Sequence, residues 1–299
     1  MEKTAKVMLV GGVSWNTMVQ LSEWFASPQG SGAADGWFQA LGSTGAGKAL
    51  NMQQLGFDVF LHSLLGSDAV AQRIRSAFGN TAIHCDWHVH GGSCEQHLNL
   101  MSSGGARRSV FLEQEPDLGI VPGEAMTRAW NEADYRWVNI KPYCRRLLPA
   151  LQGAGEPIWC DLHDYDEGNP YHRPFIDAAD YLMLSGEALA NPDRFMAEQI
   201  DAGKRLVIIT GGAQDIRAMD ERGNRYLVPT VPCREAVDSN GAGDAFSAGF
   251  LYGWHRGRAV EQCLQLGACA GVLCLGSRAL AAPQMDADVL EELWSRSYC

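Results

Sequence analysis

The fold turns on one stretch, Asp238-Ser239-Asn240-Gly241-Ala242-Gly243-Asp244, which runs on into Ala245-Phe246-Ser247-Ala248-Gly249-Phe250. Phe246, Phe250 and Trp254 recur every four residues and so share one helix face. The spacing predicts a helix from about Ala242, whose first amides have no intrahelical partner. Such a terminus attracts anions through its free N–H groups and the positive end of the helix dipole. Gly241 and Gly243 let a phosphate approach the backbone closely, and a branched residue at 243 would resist an unusual φ. Asp244 falls in the first turn, aimed at whatever the amides hold. An anion cradle beside a carboxylate suits phosphoryl transfer to an alcohol: the amides take the developing charge and the carboxylate takes the hydroxyl proton. Taken alone, Gly-Ala-Gly-Asp is also an ordinary glycine turn with an acidic helix start.

Upstream, strand-like runs at 137–140, 158–161, 181–184 and 206–210 alternate with helical stretches, the pattern of βαβ units and a mostly parallel sheet. Runs at 216–219 and 226–231 read as a hairpin, and further helices start near Val260 and Asp286. Toward the N-terminus, 7–10 is a short buried strand ending in Gly11-Gly12, 59–64 and 83–88 are strands, and 68–78 is a helix with Asp68 as its N-cap. The segment 12–41 shows no clear period and carries Trp15, Trp24, Phe25, Trp37 and Phe38. Aromatics in such a stretch either cover a ligand or meet another chain. Runs 96–101 and 109–112 flank Gly104-Gly105 as a second hairpin. Segments 13–41 and 93–113 are therefore expected to form a small β lid on one unit spanning 1–299. Pairing of that lid with a second copy would cover its open edges and give a homodimer.

The 299 residues suffice for a sizeable core. A net charge of -11 argues against nucleic acid or an anionic membrane as partner, and leaves phosphate binding to local geometry. Nine cysteines without CxxC pairs fit reduced thiols and a cytoplasmic setting. The first apolar run is too short for a signal peptide or membrane span.

Gly42-Ser43-Thr44-Gly45-Ala46-Gly47-Lys48-Ala49 nearly spells a Walker A loop, but Ala49 stands where a hydroxyl should meet Mg²⁺. A P-loop NTPase is accordingly the weakest of the enzyme readings. Lys141 ends a predicted strand, where open α/β sheets bind ligands. Asp161-Leu162-His163-Asp164 also follows a strand end, and its alternation is a weak metal signal.

The residues from Asp238 to Phe246 resemble the C-terminal signature D-T-x-G-A-G-D-x-F of the ribokinase-like (PfkB-type) carbohydrate kinases, with Ser239 in place of Thr. The resemblance implies a three-layer α/β/α sandwich with a mostly parallel central sheet and a small β lid. It implies ATP and Mg²⁺ as cofactors and a sugar or nucleoside as small-molecule substrate. Asp244 would be the base, with the amides of Gly241, Ala242 and Gly243 as anion hole. Thr210, Gly211 and Gly212 are similar to the family's nucleotide-contact turn, and Asp238 opens the signature. Gly42 matches the first residue of a G-G-x-x-x-N sugar turn, where Ser43 replaces the second glycine and Gly47 the asparagine; Lys48 beside it either supplies a donor or is solvated. Asn16 takes the place of the first-strand aspartate that holds substrate hydroxyls, and Lys141 joins the substrate group. Glu187 stands one place before the glutamate of an N-x-x-E segment near the metal. Many members dimerise through the lid sheet. The implied activity is phosphorylation of a sugar hydroxymethyl group; the alternatives are a nucleoside kinase or a catalytically silent sugar-binding regulator of the same fold.

Overall fold

A computed structural model describes residues 4–22, 31–102, 107–153, 155–233 and 236–299. In chain order its elements are β1 (Lys6–Val10), β2 (Ser14–Leu21), β3 (Gly36–Gly42), α1 (Thr44–Gln54), β4 (Asp58–Leu65), α2 (Ala69–Phe78), β5 (His84–Val89), β6 (Gln96–Ser102), β7 (Arg107–Glu113), α3 (Glu124–Glu132), β8 (Tyr135–Asn139), α4 (Pro142–Gln152), β9 (Ile158–Asp164), α5 (Arg173–Ala178), β10 (Tyr181–Ser185), α6 (Pro192–Asp201), β11 (Leu206–Gly211), β12 (Gln214–Asp220), β13 (Arg225–Val228), α7 (Ala242–His255), α8 (Val260–Leu275) and α9 (Ala287–Tyr298).

The main sheet has the order β13-β12-β11-β10-β9-β8-β1-β4-β5. Its strands pair in parallel from β11 to β5, and the β12–β13 hairpin adds antiparallel at one edge. The central strands are apolar on both faces, as Val7-Met8-Leu9-Val10 illustrates, because helices cover both sides. One core joins the sheet to residues of α1, α2, α7 and α8; the other joins it to α3, α4, α5 and α6. This is the expected three-layer α/β/α sandwich. Among the described residues no helix is long and apolar enough to cross a membrane.

Two features seat α7. Across the sheet, Trp137, Trp159 and Tyr181 stand in register on β8, β9 and β10, with ring centroids 5.3 and 4.0 Å apart. Phe250 and Trp254 of α7 pack onto that ladder, each about 6 Å from Trp159 between centroids (5.9 and 5.8 Å). On its other side α7 meets α8 through glycine: a Cβ on Gly249 would lie 2.6 Å from both the Leu266 carbonyl and the Ala270 methyl.

A second sheet, ordered β3-β2-β6-β7, comes from 14–42 and 96–113. The described parts of 12–41 are therefore not irregular, since β2 and β3 form a regular antiparallel pair. The buried face of β2 begins with Ser14 and Asn16 before Met18, so the usual apolar alternation is broken by polar residues. Trp15 is half-buried against the main core, whereas Trp37 is 68% exposed. Trp24, Phe25 and the Gly104-Gly105 turn lie outside the described residues.

The Walker-like stretch has a structural explanation. Helix α1 begins at Thr44, so Gly45 and Gly47 are helical. Gly45 backs onto the Gly11-Gly12 backbone, with its would-be Cβ 2.5 Å from the Gly12 carbonyl. These glycines serve close approach of helix and strand; they do not form a phosphate loop.

Because Gly249 meets backbone rather than a yielding side chain, Gly249→Val is expected to destabilise by about 2–3 kcal/mol. That corresponds to a fall of roughly 3–5 °C in Tm for a domain of this size, measurable by calorimetry. An unchanged Tm would mean that α7 and α8 are not closely packed.

Candidate active site

A cleft of about 1130 Å³ lies between the C-terminal ends of the parallel strands, the start of α7 and one face of the small sheet. It is large enough for two substrates side by side. Its position, outside the carboxyl ends of the strands, is where open α/β sheets bind ligands.

The glycine turn forms one wall. Asp238 is buried, and its Oδ1 accepts from the Asn240 amide at 2.7 Å, so this carboxylate folds the turn and does not line the cleft. Gly241 is left-handed at φ 84°, and a Cβ there would strike the Leu280 carbonyl, so only glycine fits. The Ala242 amide keeps a long bond to the Ser239 carbonyl at 3.4 Å. Gly243 needs no positive φ; a Cβ on it would meet nothing within 4 Å, because it opens onto the cleft. The conformational demand expected at Gly243 therefore sits at Gly241.

Asp244 lines the cleft although it is only 5% exposed. Its Oδ1 receives the Lys48 ammonium at 2.6 Å, and the same ammonium donates to Asp161 Oδ2 at 2.8 Å. Lys48 is fully buried, so it is neither solvated nor a cleft donor. Burial alone would lower its pKa, but the two carboxylates raise it. Burial pushes Asp244 up against the pull of Lys48. Asp161 is held down to about 2 despite its burial, by His163 and Lys48. His163 contributes its amide to Asp161 Oδ1 at 2.9 Å and its ring Nδ1 at 3.4 Å from Oδ2.

On the small-sheet side, Asn16 and Ser43 face the cleft, while Gly42 and Gly47 stand behind it. A Cβ on Gly42 would strike the Asn16 amide, and one on Gly47 would strike Asp244 Oδ2, so both glycines make room for the neighbour that reaches the cleft or its edge. Ser43 caps α1 with φ 69° and ψ 151°, a region nearly reserved for glycine that costs a side chain roughly 1–3 kcal/mol. Lys141 lines the cleft, ion-paired to Glu95, whose other oxygen takes the His97 ring at 2.6 Å. Burial opposes ionisation of Glu95, but Lys141 and His97 hold it below its ordinary value.

At the far end, Thr210, Gly212 and the exposed Glu187 line the cleft; Gly211 does not. Gly212 has φ +59° and lies against the Glu187 carboxylate. Among the described residues no cluster of three or more His, Cys, Asp or Glu is arranged to hold a metal.

Arg107 and Glu95 are contributors that sequence reasoning passed over, and the ion pairing of Asp161 with Lys48 was not foreseen. Arg107 opens β7, lines the cleft and donates to Asn240 Oδ1 at 2.9 Å, tying the small sheet to the glycine turn. Its only signal was a basic pair beside a hairpin turn. Asp161 was visible as a strand-end carboxylate, and Lys48 as a lone lysine after glycines.

Residues 176–287 match the model of the pfkB family carbohydrate kinases. The chain is 27% identical over 290 residues to an acarbose 7(IV)-phosphotransferase of an Actinoplanes species, covering 96% of this chain and 97% of that one. It is 24% identical to a ribokinase of Arabidopsis thaliana over 78% of this chain and 66% of that one. The solved structure of a microbiome-derived acarbose kinase superimposes with a TM-score of 0.87 at 26% identity, covering 98% of this chain and all of the other. An Arabidopsis ribokinase complexed with ribose and ATP shares the fold, with a TM-score of 0.81 at 19% identity over 98% and 99% of the two chains. The chain is similar over nearly its whole length to ribokinase-like (PfkB-type) carbohydrate kinases and is a phosphotransferase with an alcohol group as acceptor.

Proposed function

We propose that the chain transfers the γ-phosphoryl group of ATP to a hydroxymethyl group of a sugar or sugar-like acceptor, with Asp244 as general base. The observation that carries this reading is the buried Asp244 carboxylate at the cleft, one residue after the open backbone of Gly243. A raised pKa strengthens a carboxylate as a proton acceptor, provided it is ionised at working pH. The γ-phosphoryl group would sit on the backbone of Gly241, Ala242 and Gly243, whose position at the start of a helix favours developing negative charge. Thr210, Gly211, Gly212 and Asp238 form the nucleotide group, Gly211 and Asp238 by shaping turns. Asn16, Ser43 and Lys141 would meet the acceptor, with Gly42 and Gly47 shaping the wall behind.

Mg²⁺ takes hard oxygen donors and is commonly held by one or two carboxylates together with substrate phosphates. Glu187, an exposed carboxylate at the cleft, is the donor that fits, and the ion would neutralise phosphate charge there.

A sugar is favoured over a nucleoside as acceptor. The acarbose phosphotransferase matches along almost the whole chain, whereas the cytidine and adenosine kinase relatives match only 65 to 72 residues. Acarbose is therefore the first acceptor to assay. The small sheet is read as a lid on a single kinase unit, and as the contact of a homodimer. Trp37 on one edge strand and Val110, Phe111 and Leu112 on the other are 68, 48, 55 and 54% exposed, apolar surface that a second copy would cover.

Asp244→Asn is expected to keep nucleotide binding, by calorimetry, and to lower kcat by at least ~100-fold. Near-normal turnover on a good acceptor would remove Asp244 from the mechanism. In sedimentation velocity at micromolar concentration the wild type is expected to run as a dimer and Trp37→Asp as a monomer. A wild type that is monomeric throughout refutes the dimer, and a dimer indifferent to Trp37→Asp moves the contact elsewhere.

A further inference from the structure

We infer that Lys48 is a positioning residue for the reaction: clamped between Asp161 and Asp244, it aims the Asp244 carboxylate and keeps it ionised. The inference rests on Asp244 being the base.

Geometry comes first. Lys48 is fully buried and does not line the cleft, so it cannot touch either substrate. Its ammonium is spent on Asp161 at 2.8 Å and Asp244 at 2.6 Å, with the Trp137 ring centroid 6.0 Å away. Two consecutive residues of α1 thus shape one carboxylate. Lys48 holds Asp244 Oδ1, and the missing side chain of Gly47 leaves the notch that Oδ2 occupies. A side chain at 47 would displace the carboxylate, and a neutral one at 48 would release it.

Charge comes second. Two carboxylates share one ammonium where water is excluded, so the cluster is one charge short of neutrality. Such a pair splits: one member stays ionised and the other becomes easily protonated. Asp161 also receives the His163 amide and ring, which makes it the ionised member. The remaining titratable groups nearby are thiols. Cys160 next to Asp161, and Cys274 of α8 near Asp244, are both raised by burial, Cys274 to about 12, so neither competes for the proton near neutrality. Without Lys48, two buried carboxylates would face each other uncompensated, and Asp244 would take up the proton it needs to accept from the acceptor.

The sign follows directly. A base must be deprotonated, so activity falls as pH drops through its pKa. The acid limb of kcat/KM reports that group in the free enzyme. Lys48→Met, similar in length and uncharged, should move the acid limb upward by roughly 1 pH unit or more. At neutral pH it should lose on the order of 100-fold in kcat, with partial recovery at high pH, while KM for ATP stays within about twofold. Asp161→Asn removes the competing carboxylate and should move the limb down. The double variant should fall between the two single ones. The experiment is pH–rate analysis of the purified full chain with ATP and acarbose, alongside Asp244→Asn and thermal unfolding of each variant. A folded Lys48→Met enzyme with an unmoved acid limb, beside an inactive Asp244→Asn, overturns the role of Lys48 and leaves the base in place. Normal turnover by Asp244→Asn removes both. Should Lys48→Met fail to fold, Asp161→Asn decides: a limb shifted down supports the inference and an unmoved limb overturns it.

Discussion

A desolvated ammonium shared by two carboxylates is the constraint on which this molecule's working end depends. Lys48 belongs to α1, Asp161 to β9 and Asp244 to α7, so one buried charge cluster ties three elements from distant parts of the chain. Removing one member of such a cluster leaves buried charge uncompensated, which is far more damaging than the pair is stabilising. The three elements therefore cannot slide independently, and the geometry of the Asp244 carboxylate is fixed by a charge requirement and not by packing alone.

Small residues follow from that requirement. For the Lys48 ammonium to reach both partners, α1 must lie close to the turn after β1, and Gly45 permits this by resting on the Gly11-Gly12 backbone. From the other side, α7 must be held at a fixed height over β9. The Trp137–Trp159–Tyr181 ladder sets that height, and Gly249 lets α8 press α7 onto it. Gly241, with its left-handed backbone against Leu280, then starts α7 at the point where its first amides face the cleft.

The parts that obey simple periodicity were legible in the sequence: the parallel strands from 135 onward, the helix starting at Ala242 and the Asp68 N-cap, whose carboxylate accepts from the Ala71 amide. The parts that failed share a cause. Strand β2 turns polar side chains inward because one face of its sheet borders the cleft, so its apolar alternation vanishes just where the site begins. The 42–48 stretch imitates a phosphate loop because glycine serves a close helix approach as readily as an anion. The burial of Lys48 between two acids was not foreseen, because its partners lie 113 and 196 residues away, a distance no local pattern carries. Arg107 was missed for the same reason, since its partner Asn240 is 133 residues on.

A second cluster differs from that of Asp244 in where its raised acid lies. Lys141 also sits between two acids, Glu95 and Glu115. Again one is held low, Glu95 by Lys141 and His97, while burial pushes the other, Glu115, up to about 8. Glu115 does not line the cleft. There the raised acid is simply protonated at neutral pH, and the cluster becomes neutral at no functional gain. In the Lys48 cluster both acids border the cleft, the raised one, Asp244, included. The same electrostatic rule operates twice in one fold, and what separates the two clusters is whether the raised acid reaches the cleft: Asp244 does and Glu115 does not.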